Sequence, residues 1–319
     1  MTDLQWARIS SDLFNATLLA YITAMVLYFA YLAFKSEILW KVARTIAFVG
    51  LGANVISIVT RGLAAHRVPW GNMYEYSTLL ACLVVAGYLL IVEGVYKVRS
   101  LGGFALMFSV FTMALAVVLH FYVTPGPLVP ALNSYWIKIH VVAAISGSSL
   151  LALGSIITIL YLVQDSKERR QVEALRAQAP PPIMGGAVDV NAPPDFEPDA
   201  DEASGSKEPA RRGMLPPAAT LDRVAYRVFT FAFPIWTFAV IAGAIWAQDA
   251  WGRYWGWDPK ETWSFITWTI FAGYLHARST SGWKGRRAAV IALVGFVSLL
   301  ITYYAVNLWI AGLHSYRGF

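Results

Sequence analysis

Long apolar runs recur from one end of this chain to the other, and they leave few folds open. A helix that crosses the hydrocarbon of a bilayer needs about 20 apolar residues. Eight stretches of the 319-residue sequence qualify: 13–34, 44–65, 74–96, 101–123, 136–163, 224–247, 262–278 and 287–309. Backbone groups in lipid must find partners within their own segment, so each run is expected to be a helix. The predicted fold is an all-α polytopic membrane protein of about eight transmembrane helices. Charged residues make up 14% of the chain, against about 25% in a soluble domain. The first run is too long for a signal-peptide core and lacks a small-residue cleavage pattern, so it is expected to be retained.

Basic residues set the orientation. Lys35, Lys41 and Arg44 lie between the first two runs, and Lys97 and Arg99 between the third and fourth. Lys167, Arg169, Arg170, Arg211 and Arg212 follow the fifth, and Arg278, Lys284, Arg286 and Arg287 the seventh. These alternate loops are assigned to the cytoplasmic side. Both termini, the 65–73 and 124–135 loops and residues 246–268 are assigned outside. Arg61 and Arg67 dissent, and are candidates to pair with an anionic ligand group. The net charge of +6 is thereby explained by topology, with no call for nucleic acid. The lone cysteine, Cys82, excludes an intrachain disulfide and a CxxCH haem-attachment motif.

Residues 165–222 interrupt the apolar pattern with eleven of the 19 acids, and nine of the 15 prolines fall between 180 and 217. Such composition predicts a disordered cytoplasmic linker. It divides the chain into a first membrane half, 1–164, of five helices and a second, 223–319, of three. Deleting residues 180–210 removes no apolar run, so membrane insertion is expected to survive the deletion in a fractionation assay. Loss of the protein from the membrane fraction would show that the segment is structured.

Residues 251–268, WGRYWGWDPKETWSFITW, hold five tryptophans, and Trp246 stands just before them. One reading is an interfacial belt of indoles anchoring helix ends. A belt has no need of Gly252, Gly256 and Asp258-Pro259. The glycines permit close backbone approach, and proline suits a first helical turn. Asp258 then reads as an N-cap, with Glu261 in the turn that follows. The other reading is a platform of indole faces for a flat ligand.

Of the five histidines, His66, His120, His140 and His314 fall at expected outer helix ends. His276 stands 18 residues after Asp258, about 27 Å along a helix, and so near the inner end. Helix-end histidines are commonly snorkelling or hydrogen-bonded groups, and His66 and His120 are read so. Imidazole is also a common axial ligand of haem iron. A porphyrin stacked on the indoles and flanked by His140 and His314 accounts for these features together.

These stretches resemble the CcsA/ResC family of cytochrome c-type biogenesis proteins. The resemblance is carried by the tryptophan segment, by YLHARSTSGWKGRRAA (274–289) and by VNLWIAGLHSY (306–316). GNMYEYS (71–77) and IHVVAAISGSSLLAL (139–153) add to it, so it covers both membrane halves and spares the linker. The tryptophan motif is shared with haem-handling subunits of the other bacterial maturation system. The resemblance implies haem b held at Trp251, Trp255, Trp257, Asp258 and Trp263, with His140 and His314 as outer iron ligands. It implies an inner haem at His276, its second ligand supplied by a CcsB/ResB-type membrane subunit. His66 and His120 match no family ligand. The implied activity, with that partner, is a holocytochrome c synthase of haem lyase type. It would move haem across a bacterial inner membrane, or a thylakoid membrane, and join it to the CxxCH thiols of apocytochrome c. A haem exporter without attachment chemistry needs the same two sites and is the alternative. A quinone or electron-transfer cytochrome would need facing histidine pairs within the bilayer, and only His276 is deep. A scaffold leaves the tryptophans and histidines unexplained.

Overall fold

The computed structural model describes residues 2–126, 134–178, 215–310 and 312–313, and all of its regular structure there is helical. In chain order the helices are α1 Asp3–Phe34, α2 Glu37–Ala65, α3 Met73–Gly87, α4 Gly102–Val118, α5 Tyr135–Gln178, α6 Ala218–Trp251, α7 Pro259–Ser279 and α8 Arg286–Leu300. Helix α3 runs on as a π-helical turn, Tyr88–Glu93, and α8 does the same over Ile301–Ala305 before Val306–Leu308. Each of the eight expected runs coincides with one helix. Seven of these are long and apolar enough to cross a membrane. The exception is α7, whose 21 residues suffice in length, about 30 Å, but include Lys260, Glu261 and three threonines. The chain is a multi-pass membrane protein.

The helices associate in pairs, α1 with α2, α3 with α4, α5 with α6 and α7 with α8, and α5 also meets α3 and α8. Lipid offers little hydrophobic drive for helix association, so small residues and hydrogen bonds at the contacts matter. Ser10 and Ser57 illustrate this, each hydroxyl donating to the other's carbonyl at 2.9 and 2.8 Å across α1 and α2. Between α5 and α6 the backbones approach closely. A Cβ at Gly147 would stand 3.1 Å from the Trp236 backbone nitrogen, and one at Gly154 2.7 Å from the Phe229 ring.

Two expectations need correction. The linker does not begin at 165, because α5 continues to Gln178, and it does not extend to 222, because α6 starts at Ala218. Its central part, 179–214, lies outside the described residues. The overhang of α5 is charged but locally paired. Asp165 accepts from Arg169 at 3.0 Å and Gln164 donates to Glu168 at 2.9 Å, both i to i+4. It is also laced to the second half. Arg286 donates to Asp165 at 2.6 Å, and Glu168 accepts the Ala218 N–H at 2.9 Å. Arg278 on α7 forks onto Asp222 of α6 at 2.6 and 3.0 Å.

The second correction concerns Arg61 and Arg67. Their partner is in the chain, since both donate to Glu75, at 3.0 Å from Arg61 and at 2.9 and 3.2 Å from Arg67. The Glu75 side chain is fully buried and that of Arg61 is 3% exposed. Arg61 also donates to the Val123 carbonyl and Arg67 to that of Gly126. Glu75 further accepts the Gly71 N–H at 2.8 Å, so the cluster fixes the 67–72 turn on α3.

Candidate functional site

The 67–72 turn matters because it forms one wall of a cavity. The cavity holds about 1250 Å³ of empty space including its mouth. It opens at the end of the bundle that the basic-residue pattern assigns to the outside. Seven tryptophans and tyrosines line it: Trp70, Tyr76, Trp236, Trp246, Tyr254, Trp255 and Tyr303. They come from five separate elements, namely the 67–72 turn, α3, α6, the α6–α7 connection and the end of α8. Trp236 is locked on α7 by a 3.3 Å bond from its indole N–H to the Ser264 carbonyl, and Tyr76 stacks on Tyr303 with centroids 4.6 Å apart.

His140, in the second turn of α5, lines the same cavity. Its ring lies parallel to the indole of Trp246, 10° between planes and 6.1 Å between centroids, and Trp246 itself is 1% exposed. The Nδ1 atom is 2.8 Å from the Ala239 carbonyl oxygen. A carbonyl only accepts, so Nδ1 carries the hydrogen. With the hydrogen on Nδ1, Nε2 is the atom through which a neutral imidazole binds a metal. Gly243 makes this approach feasible, because a Cβ there would stand 2.7 Å from Nδ1.

The expected tryptophan set divides. Trp255 lines the cavity. Trp251 packs edge-on against Trp246 with centroids 4.8 Å apart and supports the wall from behind. Trp257 is 68% exposed, sits edge-on to Trp255 and holds a left-handed φ of 56°. Trp263 is half-buried on α7, and neither it nor Trp257 lines the cavity. Asp258 is buried as the N-cap of α7, forming a capping box with Glu261. One of its oxygens accepts the Lys260 N–H at 3.2 Å and the other the Leu313 N–H at 2.8 Å. Capping accounts for Asp258, as the Asp-Pro pair suggested, and the bond to Leu313 ties the C-terminal segment to the tryptophan segment. His314, the next residue, lies outside the described residues.

His276 occupies the last turn of α7, at the far end from Asp258, and is exposed. His66 and His120 sit just past helix ends with left-handed φ of 51° and 54°, and His66 Nε2 lies 3.1 Å from Asp3. Both are helix-end groups, as their positions suggested. Trp70, Trp236, Tyr76 and Tyr303 were not in the expected site. Of these only Tyr76 lay in a quoted motif, GNMYEYS, and that was the available signal.

Residues 70–314 match the family model described as cytochrome C assembly protein. The chain belongs to this family. The match begins at Trp70 and so spans every cavity wall described above. The cyanobacterium Gloeobacter violaceus has a "Cytochrome c biogenesis protein CcsA" that is 35% identical, covering 99% of this chain and 98% of its own length. Proteins of the same name from Synechococcus elongatus and the red alga Porphyra purpurea are 36% and 35% identical. They cover 98% and 92% of this chain, and 98% and 93% of their own lengths. The CcsA/ResC resemblance is therefore borne out, and the chain is a cytochrome c biogenesis protein by family. A solved structure named "Cytochrome c Heme Lyase CcmF" shares the fold, with a TM-score of 0.64 at 15% identity. It matches 95% of this chain over 47% of its own length, so this chain spans about half of that protein.

Proposed function

We propose that this cytochrome c assembly protein presents haem b in the outer cavity for covalent attachment to the CxxCH segment of an apocytochrome c. The observation that carries this reading is the placement of His140 in the aromatic cavity, with Nδ1 held by the Ala239 carbonyl. An imidazole whose Nδ1 is held by a backbone carbonyl, in a cavity walled by indoles and phenols, suits a flat amphipathic iron complex. The aromatic faces would hold the ring, and His140 with His314 would hold the iron. Attachment adds each cysteine S–H across a haem vinyl C=C. A C–S bond forms, the hydrogen goes to the other vinyl carbon, and nothing is released. The contribution of this chain is to hold vinyl and thiol together, which can replace an encounter by a local reaction.

The inner end fits a second haem only with help. His276 is exposed on the bundle surface, and a lone exposed imidazole does not enclose a porphyrin. A CcsB/ResB-type subunit packed there would supply the other ligand. In this scheme haem enters near His276 and moves outward to His140.

Co-expression with that subunit and a CxxCH reporter tests the synthase role by the appearance of covalent haem. Export without attachment would instead yield outer haem and no covalent product. The direction of travel is tested separately, by haem content and absorption spectra of purified variants. His276→Ala is expected to deplete both sites, and His314→Ala only the outer one. A fully loaded outer site in His276→Ala, with no haem supplied from outside, would overturn the proposed route.

A further inference from the structure

A second concavity lies at the end of the bundle that the basic-residue pattern assigns to the cytoplasm. It follows one stripe of α2, lined by Trp40, Lys41, Arg44, Thr45 and Phe48, and holds about 760 Å³ including its mouth. Lys41, Thr45 and Phe48 are exposed, so the stripe faces away from the bundle. With 29 residues α2 is about 44 Å long, against about 30 Å of hydrocarbon. Centred in the bilayer, it extends about 7 Å into the headgroups at each end. Lys41 and Arg44 stand four and seven residues after its first residue, about 6 and 10 Å in. They sit where hydrocarbon gives way to headgroups, and the abundant acceptors there are lipid phosphates.

The Arg44 guanidinium is held between the rings of Trp40 and Phe48, 5.6 and 5.4 Å from their centroids. Glu93, buried at the end of the π-helical turn, balances its charge from 3.1 Å, measured to Nε. That contact lacks hydrogen-bond geometry, and Nε is buried without an acceptor. The oxygens of Glu93 are spent elsewhere, one on the Tyr28 O–H at 2.8 Å and the other on the Trp40 indole N–H at 3.1 Å. Leaving such donors unmet is costly. Glu37, one turn before Lys41, is taken by Arg99, which donates to both of its oxygens at 3.1 Å and lies 3.7 Å from the Trp40 ring centroid. Lys41 is exposed and has no ion-pair partner among the described residues. Three cations, Lys41, Arg44 and Arg99, thus meet two carboxylates, Glu37 and Glu93, and one positive charge is in excess.

We propose that this concavity binds the phosphodiester of an anionic phospholipid from the adjacent leaflet, independently of the haem reading above. Lys41 and Arg44 receive the phosphate oxygens, and Phe48, one turn deeper than Arg44, flanks the acyl chain. The phosphate supplies the acceptor that the fold withholds from Arg44, in charge-assisted bonds. A phosphodiester with an uncharged headgroup brings one negative charge and matches the single excess cation. A zwitterionic lipid brings its own cation and gains less. Basic pockets on the cytoplasmic side of membrane helices recognise anionic headgroups in this way.

The test is native mass spectrometry of the purified full chain in a neutral detergent, titrated with phosphatidylglycerol and with phosphatidylcholine of matched acyl chains. The unaltered chain is expected to retain phosphatidylglycerol about tenfold more tightly. Lys41→Gln combined with Arg44→Gln is expected to bind the two lipids alike, while Lys41→Arg combined with Arg44→Lys keeps the preference. Lys284→Gln with Arg287→Gln removes two exposed cations from the start of α8 and the connection before it, on the same side, and is expected to leave the preference intact. A preference that survives in the Lys41 and Arg44 glutamine variant overturns the proposal. An equal loss in the Lys284 and Arg287 variant does so too, since it shows diffuse charge in place of a site. Equal retention of the two lipids by the unaltered chain overturns it however the variants fold. Displacement of phosphatidylglycerol by excess glycerol phosphate would make this a site for a soluble phosphate and overturn the lipid assignment.

Discussion

Replacing His140 by alanine is expected to abolish covalent haem attachment and to empty the outer cavity of haem. The ring is held from three directions in the structure. Trp246 lies parallel to it, the Ala239 carbonyl accepts its Nδ1 hydrogen, and Gly243 clears the space beside it. Loss of even an outer partner of a metal ligand lowers affinity about 10–100-fold, so removing the ligand itself should exceed about 100-fold. Imidazole added to the growth medium is expected to restore part of the yield, since it fits the space that alanine leaves. The same holds for His314→Ala by the family resemblance. The measurement is haem-stained product from a CxxCH reporter, with and without imidazole. Normal maturation in His140→Ala would remove the central assignment, and failure of rescue would point to a structural histidine.

The second large effect is expected at Glu75, far from the iron. Glu75→Ala strands Arg61 and Arg67 beside one another with no counter-charge, and releases the Gly71 N–H that fixes the turn carrying Trp70. Breaking a buried ion cluster by removing one partner typically costs about 3–5 kcal/mol. For a membrane protein the readout is thermal unfolding in detergent together with haem retention, and both are expected to drop. A triple change, Arg61→Met with Arg67→Met and Glu75→Leu, is expected to recover much of the stability, because apolar replacement of a whole buried cluster is often tolerated. An unfolding temperature in Glu75→Ala equal to that of the unaltered chain would show that the cluster carries no such load.

The helices were legible because hydrocarbon imposes one requirement on every residue of a span, and a run such as 101–123 states it without tertiary information. The limits of the linker were not. Hydropathy falls at Gln164 and rises again near Val224, but helix formation follows hydrogen bonding and i to i+4 pairs, which carry α5 to Gln178. Half of the site was legible for a similar reason. Trp255 and His140 lie in dense local motifs, whereas Trp70 and Trp236 stand among ordinary membrane residues. They become walls of the cavity through the Glu75 cluster and the Gly147 contact, and these join positions distant in sequence. Lys260 was visible as a letter inside the tryptophan segment. Its place on the cavity wall and its bond to Asn307, 47 positions away, come from the fold.

The lacing at the C-terminal end of α5 bears on how such a protein can be encoded. Asp165 with Arg286, Glu168 with the start of α6, and Gly147 and Gly154 against α6 hold the two membrane halves together side by side. These contacts join the halves without recourse to the segment that connects them in sequence. Genes for this architecture are thereby released to lengthen, shorten or divide that segment, as the two halves would find each other by the same contacts when made as separate polypeptides.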